Sequence, residues 1–136
     1  MAGAALTPRV RTIVVCDEVV ASQTEDGVFT LEGVRQHLVV ASFPYPAFLR
    51  LFMLLSSPRK GNYFGKILIV NEQDDRTIRY VKIHAAFESD NELLPLYVDL
   101  GDCTFPESGQ YRFEVYFAGR GGDEVLKTEH PFTVLQ

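Results

Sequence analysis

Tyr111-Arg112-Phe113-Glu114-Val115-Tyr116-Phe117-Ala118 decides the fold class. Tyr111, Phe113, Val115 and Phe117 fall on one side of an extended chain, while Arg112, Glu114 and Tyr116 fall on the other. Successive side chains of a strand point to opposite faces, so this period of two predicts a strand with one face in a core and one toward solvent. Gly109 stands two residues before Tyr111. A tyrosine at a strand start after such a turn predicts a tyrosine corner, in which the phenol bonds backbone a few residues upstream.

Working outward, the same signal recurs at intervals of about ten residues. The apolar or alternating runs are Arg9–Val20, Gly27–Leu31, Val34–Ser42, Ala47–Ser56, Tyr63–Asn71, Thr77–Phe87, Leu94–Leu100, Gln110–Ala118 and Glu124–Leu135. Between them stand turn residues: Glu25-Asp26-Gly27, Phe43-Pro44-Tyr45-Pro46, Ser57–Asn62, Glu72–Arg76, Pro106–Gly109 and Gly119–Asp123, with a hairpin signal at Gly121-Gly122. No long window keeps apolar residues at helical spacing between caps. The pattern predicts an all-β fold: a single antiparallel β-sandwich of about eight strands, immunoglobulin-like or C2-like. A small barrel is the second architecture. Residues 1–8 are expected to be a flexible N-terminal tail and 9–136 one domain.

The chain has 136 residues, enough for one domain with a real core, and a formal net charge of −5. An acidic balance argues against nucleic acid or an anionic membrane as the main partner. No apolar run approaches the roughly 18 residues of a membrane span. The start, Met1 to Pro8, lacks the basic and apolar regions of a secretory signal, so the expected compartment is the cytoplasm. Cys16 and Cys103 are then expected to be reduced thiols. Charge is uneven: residues 1–68 carry 7 basic and 5 acidic side chains, whereas residues 69–136 carry 6 basic and 13 acidic ones.

Several constellations invite a chemical reading. Cys16-Asp17-Glu18 sets a thiol beside two carboxylates, but adjacent strand residues diverge and carboxylates raise a thiol pKa. Asp17 is instead expected to be structural, accepting backbone N–H groups from a neighbouring turn. His37, His84 and His130 lie far apart, without the spacing of a zinc site. Glu88, Asp90, Glu92, Asp99, Asp102 and Glu107 could gather in loops around calcium, although the Asp-x-Asp spacing is missing. Neither a nucleophile elbow nor a phosphate loop occurs. No cofactor, metal ligand or catalytic residue is assigned.

The apolar run Ala47–Ser56 is more telling. Leu49, Leu51, Met53 and Leu55 form one row, and Phe48, Arg50, Phe52 and Leu54 form the other. A strand in a two-layer fold needs only one apolar row. The second row, with Val39, Leu68 and Val70 on neighbouring strands, predicts an outward apolar patch of the kind that marks an interface. A covering loop such as Phe43–Pro46, or a β-bulge, would hide such a patch.

Cys16-Asp17-Glu18, Glu25-Asp26-Gly27, Thr30-Leu31, Gly33-Val34 and Phe43-Pro44, with Gly109-x-Tyr111-x-Phe113 and Phe132-x-Val134 near the end, resemble a family of small bacterial proteins classed as a domain of unknown function. The chain departs from that pattern at Arg35, where an aromatic is usual, and in a longer hairpin at Arg120–Glu124. The resemblance implies a β-sandwich and a bacterial origin and carries over no catalytic residue. The sequence therefore reads as a non-catalytic protein-interaction or assembly module that pairs with itself or another protein. A calcium- or small-ligand-binding sandwich using its acidic loops is the alternative. A small hydrolase with a site assembled across strands comes third.

Overall fold

The computed structural model describes residues 7–119 and 122–136. Residues 1–6 of the tail expected over 1–8, and Gly121 of the turn signal, lie outside them. Among the described residues there are ten strands and no helix: β1 (Arg9–Cys16), β2 (Glu18–Ala21), β3 (Phe29–Glu32), β4 (His37–Val39), β5 (Tyr45–Ser57), β6 (Gly61–Asn71), β7 (Arg76–Phe87), β8 (Glu92–Phe105), β9 (Gly109–Ala118) and β10 (Glu124–Leu135). None of the described segments is a helix long and apolar enough to cross a membrane.

The strands form three sheets, ordered β1-β5-β8, β4-β10-β9-β6-β7 and β2-β3. Every pairing is antiparallel except β4 on β10, which is parallel. The all-β, antiparallel-rich expectation holds. The single sheet pair of about eight strands does not, because the run Arg9–Val20 breaks at Asp17 and releases β2 into a separate hairpin with β3. Strand β5 also begins earlier than expected and includes Pro46. Its partner β1 stops at Cys16, opposite Arg50, so the Pro46 end of β5 has a neighbour on one side only. A missing N–H is harmless there.

The inner faces of the two larger sheets supply one core. From β5 come Leu49, Leu51, Met53 and Leu55; from β9 come Tyr111, Phe113, Val115 and Phe117; Ile67, Ile69, Leu100, Phe105 and Phe132 complete its centre. Strand β9 lies between β10 and β6, which explains why its inner row is wholly buried. The two sheets adjoin along both sides, where β7 runs beside β8 and β1 beside β10. At the first seam the Arg79 guanidinium donates to the Leu100 carbonyl at 2.7 Å. Gly101, next in line, has φ +65°, and a Cβ there would press on that guanidinium at 3.0 Å. The seam thus needs glycine for both conformation and space.

The Tyr111 hydroxyl donates to the Glu107 carbonyl at 2.6 Å, four residues upstream. Phe105 meets the Tyr111 ring edge-on at 4.9 Å, fixing the β8–β9 connection from below. Tyr111→Phe keeps the ring and removes the donor to a sheltered carbonyl. It should lower unfolding free energy by about 1 kcal/mol, with an unchanged urea m-value. An unaltered midpoint would show that the corner contributes nothing.

Candidate functional site

Strand alternation places the expected interface residues on two different sheets. On β5, Phe48, Arg50, Phe52 and Leu54 do face away from the core, and Phe48 is 65% exposed. Phe52 is not bare. Phe29 of β3 packs on it with ring centroids 5.4 Å apart and also meets Tyr97 of β8 at 5.9 Å. The β2–β3 hairpin therefore roofs the middle of the patch; in the sequence a covering loop is the alternative to an open patch, with Phe43–Pro46 as its example. Val39 and Leu68 belong to the five-stranded sheet. Val70 is only 3% exposed, so its assignment to the surface is corrected. Val70 stands opposite the outward Arg112 of β9 and outside the core cluster, so it is covered on the outer face itself, beside a bulge whose extra residue is Ile78 of β7.

The roof is held at its root by Asp17. Its backbone N–H lies between the Glu32 and Gly33 carbonyls, at 2.9 and 3.2 Å. Its carboxylate takes the Arg35 guanidinium through both oxygens, with Nη2 at 2.9 Å from Oδ2. Its carbonyl accepts from Arg50 Nη1 at 2.8 Å, and Arg50 also reaches Asp99 at 3.5 Å. The Asp17 carboxylate holds a guanidinium rather than the backbone N–H groups of a turn that were expected for it. Such two-point pairs fix orientation as well as charge. Gly33 has φ +65°, and a Cβ there would overlap the Asp17 carboxylate.

The outer face of the five-stranded sheet carries a second arrangement. Glu114 points outward yet is only 6% exposed. Its Oε2 accepts from Arg112 Nε at 2.6 Å, and its Oε1 accepts from the Tyr116 hydroxyl at 2.8 Å. Arg112 also pairs with Asp75 at 3.1 Å. Lys66 on β6 pairs with Glu124 on β10 at 2.7 Å, and its ammonium stands 4.9 Å over the Tyr116 ring. The row Arg112, Glu114, Tyr116 was visible in the sequence as the polar side of β9. Its burial was not, because the flanking Lys66, Glu124 and Asp75 come from other segments. Farther along this face Phe64, 61% exposed, stacks on His84 at 4.7 Å.

The remaining reactive groups are subdued. Cys16 and Cys103 are free and buried. Burial pushes the Cys103 thiol up to about 12, and burial with the nearby Asp17 charge raises Cys16. Neither is a poised nucleophile. Burial lowers the pKa of His130, favouring its neutral form. Among the described residues no three His, Cys, Asp or Glu side chains gather as a metal site. The acidic loops use oxygens locally: Asp74 accepts from Arg76 N–H, Asp90 from Lys60 N–H, Glu92 from Glu88 and Ser89, and Asp99 from Gly101. They do not offer a shared cage for calcium.

Two measurements follow. The Glu114 hydrogen bond, followed by burial, raises Tyr116 to about 12, against roughly 10 in an unfolded chain. The protonated phenol therefore favours the folded state. That contribution is fully present below pH ~10 and is lost as pH rises through the folded value. Urea midpoints of the wild type should fall over this window, and Tyr116→Phe should fall less. Parallel curves would exclude the coupling. For the thiols, alkylation of native protein should be slow at both positions and become rapid in denaturant; fast native labelling of either would contradict their burial.

No curated protein matches the chain. Its residues 11–135 match the model of a family of unknown function, DUF6941. The match spans nine of the ten strands entirely and most of β1, and it establishes that the chain belongs to that family.

Proposed function

We propose that this chain is a non-catalytic interaction module that associates with a second copy of itself, in the cytoplasm of a bacterium. One observation carries the reading: Phe48 stands largely exposed on the outer face of β5 beside charges of both signs. Arg50 lies on the same strand, and Asp99 and Asp102 lie on the paired strand β8. A surface that holds an apolar centre with both cation and carboxylates is self-complementary under a twofold axis, where each contact is made twice. Leaving a phenylalanine wet forgoes roughly 1.5–3 kcal/mol, which a second copy recovers in part. The β1-β5-β8 sheet and the five-stranded sheet then act as layers of a sandwich-like body, with the β2–β3 hairpin as the border of the contact. The net charge of −5 supports a protein rather than a nucleic-acid partner. Two free, buried thiols support a reducing compartment.

Phe48→Asp tests this without disturbing the core, since Phe48 is absent from it. Wild-type protein at about 100 μM should sediment as a dimer if the interface reaches even that Kd. The variant should sediment as a monomer with an unchanged melting temperature. A monomeric wild type at that concentration refutes self-association.

A further inference from the structure

The chain is acidic overall, yet one corner collects cations. Arg9, Arg11, Ser56, Ser57, Pro58, Asn91 and Leu93 line a cleft of about 300 Å³ where β1, β5 and the start of β8 meet. Two β-bulges shape the corner. Arg11 is the unpaired extra residue between Val10 and Thr12 of β1, and Lys127 is the extra residue between Leu126 and Thr128 of β10. A bulge re-aims one side chain out of the ladder's alternation. Here both re-aimed side chains are cations, on strands that run beside each other.

None of Arg9, Arg11 and Lys127 has a carboxylate within ion-pair distance among the described residues. Arg11 Nε donates to the Ser56 hydroxyl at 2.9 Å, which orients its guanidinium and leaves its terminal nitrogens for another acceptor. Lys127 donates to Thr7 Oγ1 at 2.7 Å. It is close enough to Arg9 for that positive charge, after burial, to oppose its protonation. The nearby carboxylates, Asp90 and Glu92, accept backbone N–H groups from Lys60, Glu88 and Ser89. Asn91 holds φ +59° at the rim. Leu93, 59% exposed, and Pro58 add an apolar wall.

We propose that this cleft binds a small phosphate monoester, its phosphoryl oxygens on Arg9 and Arg11 and its organic part against Leu93 and Pro58. The planar guanidinium matches phosphate oxygens two at a time, and a dianion answers cations that otherwise face one another unneutralised. The cleft's size suits a small ligand. A polyanion is disfavoured, because the rest of the surface would repel it.

The test uses phenyl phosphate, inorganic phosphate and benzoate at matched ionic strength. It reads the melting temperature and the NMR signal of the Arg11 Nε–H group. Phenyl phosphate should raise the melting temperature with concentration, shift the Arg11 signal and bind more tightly than the other two. Arg9→Gln with Arg11→Gln should weaken binding by about tenfold or more. Lys82→Gln, on the outer face of the other sheet, should leave it unchanged. The proposal falls if no compound acts at about 10 mM, where a millimolar site is largely filled. It also falls if benzoate or inorganic phosphate binds as well as phenyl phosphate, or if the double variant still binds normally.

Discussion

Strand alternation is the constraint on which the rest of this molecule depends. Each core side chain of β5 and β9 obliges its neighbours to face outward. The two outer faces meet that obligation differently. Over β5 the outward Phe52 receives a roof, the β2–β3 hairpin with Phe29. Over β9 the outward Glu114 is enclosed by Arg112 and Tyr116, while Lys66 covers the Tyr116 ring. One face is closed by apolar contact and the other by charge-assisted hydrogen bonds, which keep an almost fully covered carboxylate satisfied.

Where alternation fails, it fails at bulges, and each one has a visible outcome. The shift at Ile69/Val70 makes Ile78 the extra residue of β7, beside a Val70 that is covered on the outer face. The shifts at Arg11 and Lys127 present cations at one corner. The shift in β8 near Gly101 brings the Leu100 carbonyl to Arg79, joining the two large sheets at their seam. Side-chain pattern and backbone irregularity thus divide the work between core and surface.

The period of β9 was fully legible in the sequence, as was the inward row of β5, because both depend on local spacing alone. The tyrosine corner was readable for the same reason: Glu107 and Tyr111 are four residues apart. The hairpin roof was not readable, since β2 looked continuous with β1. The interruption depends on Asp17 meeting Arg35 and Arg50, which are distant in sequence. Val70 was misassigned because it keeps its outer-face position opposite Arg112 yet is covered there, and cover supplied by other strands leaves no trace in local spacing. The basic corner escaped notice because Arg9, Arg11 and Lys127 come from opposite ends of the chain; only the excess of cations in the first half hinted at it.

The β2–β3 hairpin contributes no side chain to the central core. Its strands are four residues long and, among the described residues, pair only with each other. Its hold on the body includes the Phe29 contact, the approach of β2 to β5 and the bonds around Asp17. Regions with few buried apolar contacts open at a free energy below that of global unfolding. The hairpin is therefore a separate cooperative unit: it can lift while the core stays intact, baring Phe52 and Tyr97 beside Phe48. Its amide hydrogens would exchange with solvent through that local opening, ahead of those in β5 and β9, and the extent of the apolar surface becomes a matter of the hairpin's population rather than of a fixed shape.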